Sequence, residues 1–302
     1  MNLQFIVDGL LTGSMIGLGA IGVTLTYSIL RFSNFAHGDL MAWGTYATLA
    51  VVTAIGAIVG KVAPIGPLSF GWPLIIALVA GMAFTGLLAV TLDKILFSRI
   101  RSKGQSIIVV MASFGASMAL RSLLEFMFTS KPAYFSRGIQ IAMPVGLGIR
   151  ITPDQIVLLL LTVVLVVGVH LIMTRTHSGR SMQAVSQNPA LARVVGIDVA
   201  KVVRITWLLG GALACVAGVM IGVLVQVRPL MGFDMLLPIF AAAILGGIGS
   251  VPGAVLGGLI IGLAEAGAVQ LIGAEWRAAV SFILLMAVLF IRPIGLFGVR
   301  ER

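Results

Sequence analysis

The chain has 302 residues, of which 59% are hydrophobic and only 10% charged, with a formal net charge of +10. Its mean hydropathy is +1.13. No soluble globular domain averages this way, so composition alone specifies a polytopic membrane protein. The single cysteine, Cys215, lies inside an apolar stretch, which excludes a disulfide framework and reads as a small helix-packing residue.

A spanning helix needs about 20 apolar residues. Runs of that kind occur near 6–30, 40–60, 72–97, 105–128, 153–173, 204–227, 252–272 and 276–291. A shorter run, 235–248, does not span by itself. The runs are continuous, not alternating as in a membrane β-barrel, so strands are not expected. The fold class is therefore all-α: a helix bundle of about eight transmembrane segments plus one short or re-entrant segment, forming a single domain over residues 1–302. Residues 1–7 carry no Lys or Arg, and the run that follows is too long for a signal-peptide core, so it reads as a span.

The basic residues report topology. With the N-terminus outside and the chain alternating sides through these runs, counting 235–248 as a half-crossing or short crossing, the inside loops hold Arg31, Lys94, Arg99, Arg101, Lys103, Arg175, Arg180, Arg193, Lys201, Arg204, Arg292, Arg300 and Arg302. The outside loops hold the smaller set Lys61, Lys131, Arg137, Arg150, Arg228 and Arg277. This is the positive-inside asymmetry and leaves the C-terminus in the cytoplasm. Nucleic acid is accordingly not expected as a partner; lipid is.

Taken in chain order, Gly9, Gly13 and Gly17 recur every four residues on the first segment. Gly249, Gly253 and Gly257 do the same near the other end, followed by Gly258 and Gly262. Small residues at this spacing let helices approach closely in lipid. The motif NFAHGD, residues 34–39, runs directly into the second segment. Ionisable groups at membrane depth are a functional hypothesis by default, and Asn34, His37 and Asp39 are candidates for a translocation pathway or a proton relay. The alternative is helix capping by Asn34 or Asp39. Arg121 and Glu125 stand four apart on the fourth segment and can pair. The largest external loop is 129–152.

Residues 174–204 form a polar, basic island between two apolar runs. They read as two short helices. Ser178 is placed to cap the first. Asn188 offers a side-chain cap to the second, with Pro189 in its first turn and Gly196 as a left-handed stop. A capped hairpin of this kind is built to be presented to a partner.

Residues 244–258, ILGGIGSVPGAVLGG, cannot hold one continuous helix. A re-entrant or interrupted helix is expected there, against an ordinary tight turn. Broken backbone at membrane depth is tolerated where it is buried or lines a cavity, so Gly246, Gly247 and Gly249 join the candidate pathway. So does Glu265, a lone acid in a span. Glu275 and Arg277 mark a water interface.

No catalytic constellation is visible, and no cofactor is called for. There is no Walker A loop and no HExxH. One His beside one Asp is too few ligands for a metal, and His170 and His177 are distant in sequence. The residues alone leave open a stand-alone, proton-coupled secondary transporter of small solutes.

Three stretches carry a resemblance to a known family. They are NFAHGD at 34–39, GRSMQAVSQNPALARVVGI at 179–197 and AAILGGIGSVPGAVLGGLIIGLAE at 242–265. In order and spacing they resemble the permeases of bacterial branched-chain amino acid ABC transporters, and more narrowly the LivH-type subunit. The resemblance implies an inner-membrane importer subunit, not an enzyme. It would work with a second homologous permease, two cytoplasmic ATPase subunits and a periplasmic solute-binding protein. It also implies that the hairpin is the ATPase-coupling element, through Gly179, Arg180, Gln183, Ala184, Asn188, Pro189, Arg193 and Gly196. Gln183 stands where a basic residue is common in the family, and Asp39 where Glu is more frequent.

Overall fold

The computed structural model describes residues 3–60, 62–101, 104, 106–136, 140–146, 148–292 and 294–298. Lys61, Lys103, Arg137, Arg300 and Arg302 of the topology argument lie outside the described residues. Twelve α-helices follow in chain order: α1 (Gln4–Leu30), α2 (His37–Val59), α3 (Trp72–Leu92), α4 (Ser98–Arg101), α5 (Ser106–Phe128), α6 (Pro153–Arg175), α7 (His177–Gln187), α8 (Pro189–Val194), α9 (Val199–Leu224), α10 (Met231–Gly246), α11 (Val251–Ile272) and α12 (Arg277–Ile291). A π-helical turn, Asp93–Phe97, joins α3 to α4, so that Trp72–Arg101 is one long span. Among the described residues, eight helical segments are long and apolar enough to cross a membrane. The protein is thus an all-α, multi-pass membrane bundle. At 16 residues α10 is about 24 Å long, short of the ~30 Å hydrocarbon core.

Strands are not wholly absent. The loop between α5 and α6 carries a small antiparallel hairpin, β1 (Met143–Gly146) with β2 (Ile149–Ile151). Its isolated backbone groups find partners in each other, which continuous apolar runs elsewhere do not require.

Helices α1 and α9 form the centre of the bundle and are buried along most of their length, whereas few residues of α6 and α12 are buried. The glycine repeats explain how α1 is gripped. A Cβ on Gly13 would lie 2.8 Å from the Leu259 Cα, and one on Gly262 would lie 2.2 Å from the Gly13 N. The α1 repeat therefore faces Gly258 and Gly262, and lets α1 and α11 pack backbone to backbone. Gly253 and Gly257 turn instead to α10, against Gly246 and Ala242. Cys215 is fully buried, its thiol 3.7 Å from the Thr48 hydroxyl, in the packing role read from its position.

The two ends of α1 gather the two sets of loops. At its first turn Gln4 exchanges hydrogen bonds with the backbone of Arg150, 3.1 and 2.9 Å. Past its last turn, the Arg31 guanidinium donates to the Ser186 carbonyl of α7 at 2.6 Å. Ser28 lies beside Gly249. The residues assigned to opposite sides by charge are thus at opposite ends of one helix.

Candidate functional site

Residues 34–39 form a polar junction held between three helices. The Asn34 side chain accepts from the Ala36 N–H at 3.1 Å, and its carbonyl accepts from the His37 N–H at 3.3 Å. Asn34 thus shapes the turn into α2 without capping it: the N-cap position is Ala36, and no side chain caps the helix. Its Nδ2 nevertheless has no partner and is buried. The imidazole of His37 lies against Gly22 of α1, where a Cβ would come within 2.6 Å of the ring, and its Nε2 is also unpartnered. Gly38 meets Gly232 of α10 backbone to backbone. The Phe35 N–H donates to the Ser113 hydroxyl of α5 at 3.1 Å.

Asp39 is fully buried and is the electrostatic centre of the junction. The Ser117 hydroxyl donates to its Oδ2. Arg121 Nε donates to Oδ1 at 3.2 Å, with Nη2 3.5 Å from Oδ2 and 3.3 Å from the Ser117 oxygen. The guanidinium carbon sits 4.1 Å above the Phe233 ring of α10. Arg121 therefore reaches across to Asp39 and not along its own helix to Glu125. Both partners are desolvated enough that a tertiary carboxylate outcompetes a neighbour one turn away. Sequence spacing could not reveal this, because Asp39 and Arg121 are 82 positions apart.

The hairpin at 174–204 is built nearly as its sequence specifies. Asn188 caps α8, its Oδ1 accepting from the Ala190 and Leu191 N–H groups at 3.0 Å each, with Pro189 in the first turn. Gly196 adopts φ +85°, the left-handed stop. The cap of α7 is Thr176, not Ser178: the Thr176 hydroxyl oxygen accepts from the Gly179 N–H at 3.1 Å. A chain that leaves α6 in an extended conformation at Thr176 starts the new helix two residues earlier. Gly179 is buried in the corner, where a Cβ would lie 2.2 Å from the Ile172 carbonyl oxygen. Gln183 donates to the Met173 carbonyl at 3.0 Å, so it stitches α7 to the end of α6. Ala184 is half-buried, and Met182 and Val185 anchor α7 in the bundle. On the opposite side Arg180, Arg193, Leu191, Val194 and Val195 are exposed, Val194 by 82%.

The glycine break lies at residues 247–250, between α10 and α11. Gly247 and Gly249 take φ of +95° and +97°, and Ser250 caps α11. The carbonyls freed at the end of α10 are not left open. Leu245 accepts from the Leu296 N–H at 2.8 Å and Gly246 from the Phe297 N–H at 3.1 Å. The C-terminal segment thus bonds the Gly246 carbonyl, one of the backbone groups of the candidate pathway. Glu265, far from this turn, is fully buried in α11. It accepts from the Ser281 hydroxyl and lies 3.7 Å from the Arg277 guanidinium. Arg277 in turn helps line a cavity of about 370 Å³ with Gln4, Asp8, Thr12 and Gln270. The candidate pathway residues therefore fall into three separate places: the junction, the turn and the Glu265 contact.

Residues 5–289 match the family described as the branched-chain amino acid transport system permease component. The chain belongs to this family. It is 31% identical to the high-affinity branched-chain amino acid transport system permease protein BraD of Pseudomonas aeruginosa, over 98% of this chain and 95% of that protein. It is 30% identical to the permease protein LivH of Escherichia coli K12, over 98% of this chain and 95% of LivH. A probable branched-chain amino acid transport permease LivH of Methanocaldococcus jannaschii is 28% identical, with 98% and 93% covered. The chain is accordingly a LivH-type permease.

Proposed function

We propose that this permease is one membrane subunit of an ATP-driven importer for branched-chain or related small amino acids. In this reading it sits in the bacterial inner membrane with its N-terminus outside and its C-terminus in the cytoplasm. It pairs with a second homologous permease. A periplasmic solute-binding protein delivers the solute, and two cytoplasmic ATPase subunits supply the energy. It performs no chemistry of its own.

The observation that carries the proposal is the hairpin of α7 and α8. It is rigidly capped and anchored by Met182 and Val185, yet it presents Leu191, Val194 and Val195 beside Arg180 and Arg193 to the exterior. An apolar knob rimmed by cations has the make-up of a protein-docking surface, with an apolar centre and a charged rim. Its movements have two routes into the bundle. Gln183 and Thr176 couple it to α6, and Arg31 to α1. Closure of the ATPase pair would push the hairpin and tilt the attached spans, shifting the bundle between two states of access. In this scheme the buried Asn34, His37 and Asp39 hold the start of α2 in place against the moving helices, and Glu265 does the same for α12.

The test is reconstitution of the five-part system in liposomes, measuring amino-acid uptake against ATP hydrolysis. Uptake that requires ATP and all partners is the expected result. Uptake by this chain alone, driven by a proton gradient without ATP, would refute the proposal and establish a secondary transporter.

A further inference from the structure

We infer that Arg121, framed by Phe35 just before α2 and by phenylalanines of α5 and α10, is the group that reads the carboxylate of the transported amino acid. The inference rests on the importer reading above but assigns a contact that reading does not contain.

Four observations place it. Phe114, Met118 and Arg121 fall at i, i+4 and i+7, one stripe of α5. Phe233 and Phe240 fall on one stripe of α10 by the same spacing. Phe35 bridges the two, with its ring 6.2 Å from that of Phe114 and 5.4 Å from that of Phe240. Arg121 closes the other end over Phe233. The result is a cluster of three rings around Phe35 and, further along the same two stripes, one cation over Phe233. Phe114, Met118 and Phe233 are exposed, and the Arg121 side chain keeps 17% of its surface accessible.

The guanidinium is only partly used. Nε and Nη2 serve Asp39 and Ser117, while Nη1 has no hydrogen-bond partner among the described residues. Asp39 and Ser117 fix the fork, and Phe233 covers one of its planes, so the free N–H groups point in a set direction at no further entropic cost. A carboxylate there would gain charge-assisted hydrogen bonds in a weakly solvated place. A zwitterion adds no net charge to the site, and its aliphatic side chain has the phenylalanine walls to lie against. Asn34, His37 and Asp39 are too buried to make this contact themselves. They are positioning residues behind it.

The experiment uses the purified permease complex without its binding protein, so that selection by that protein does not enter. Thermal shift is measured against rising L-leucine and, separately, L-leucinamide, which lacks the carboxylate charge. Wild type should bind leucine at least about tenfold more tightly than the amide, the value of one charge-assisted hydrogen bond. Arg121→Gln should bind both equally weakly, and Arg121→Lys should recover part of the preference. Phe233→Leu, which leaves the pair with Asp39 intact, should weaken leucine and amide alike and keep their ratio. An unchanged acid-to-amide ratio in Arg121→Gln overturns the inference. If that variant does not fold, an unchanged ratio in Arg121→Lys does so. A wild-type complex that imports leucine but shows no acid preference sinks the inference and spares the importer reading. A complex that imports no amino acid at all sinks the importer reading first.

Discussion

Adding a single methyl group at Gly258 tests the way the bundle is held together. Its new Cβ would lie 2.5 Å from both the Cα and the N of Gly17, and 2.8 Å from the Gly13 carbonyl oxygen. These are backbone atoms on α1, so no side chain can swing away. To reach an ordinary contact near 3.4 Å, α1 and α11 must part by about 1 Å. A gap of that size forfeits a quarter to a half of the dispersion energy along the seam, and overpacking typically costs about 1–3 kcal/mol. Gly267, on the same helix, has nothing within 4 Å of its own Cβ position. Gly267→Ala should therefore be neutral or stabilising by up to about 1 kcal/mol, the usual gain in helix propensity. Thermal denaturation of the detergent-purified protein should show Gly258→Ala lowered by about 4 °C or more against Gly267→Ala. Equal melting temperatures would refute the claim that backbone contact, and not helix propensity, explains the glycine repeats.

Three further outcomes are expected. Asp39→Asn and Arg121→Gln should each destabilise by about 3 kcal/mol, because each leaves the other charge desolvated, and the double variant should cost clearly less than their sum; strict additivity of the three melting shifts would mean the two groups do not interact. Gly196→Val, strained at φ +85°, and Arg180→Glu should insert normally yet hydrolyse ATP without proportionate uptake in the reconstituted complex, while wild-type coupling in both would remove the case for docking at the hairpin. Ser281→Ala should lower the melting temperature more than Glu265→Gln does. The first leaves a buried carboxylate without its donor at about 1–3 kcal/mol, whereas the amide retains an acceptor; the reverse order would disprove the role given to the hydroxyl.

Much of this protein is dictated locally and so is legible in the chain. Membrane insertion needs long apolar runs and nothing else, which is why the spans, the short α10 and the hairpin island all stand where the apolar and polar runs do. Caps are equally local. Asn188, Pro189 and Gly196 act within four residues of themselves, and they occupy the positions their types require. Thr176 displaced Ser178 because the choice of cap depends on where α6 releases the chain, which is already a tertiary matter. Glycine spacing announced a close helix contact, but not that α1 and α11 make it.

What only the tertiary structure decided is which polar groups meet. Arg121 has an acid one turn away and another 82 positions away, and it takes the distant one, since in a bundle desolvation and shape select the partner. The same logic gave the carbonyls of Leu245 and Gly246 partners in the N–H groups of Leu296 and Phe297. It also joined Glu265 to Ser281 on the next helix. A sequence specifies which groups are too costly to leave bare in lipid; the packing of the helices determines what covers them.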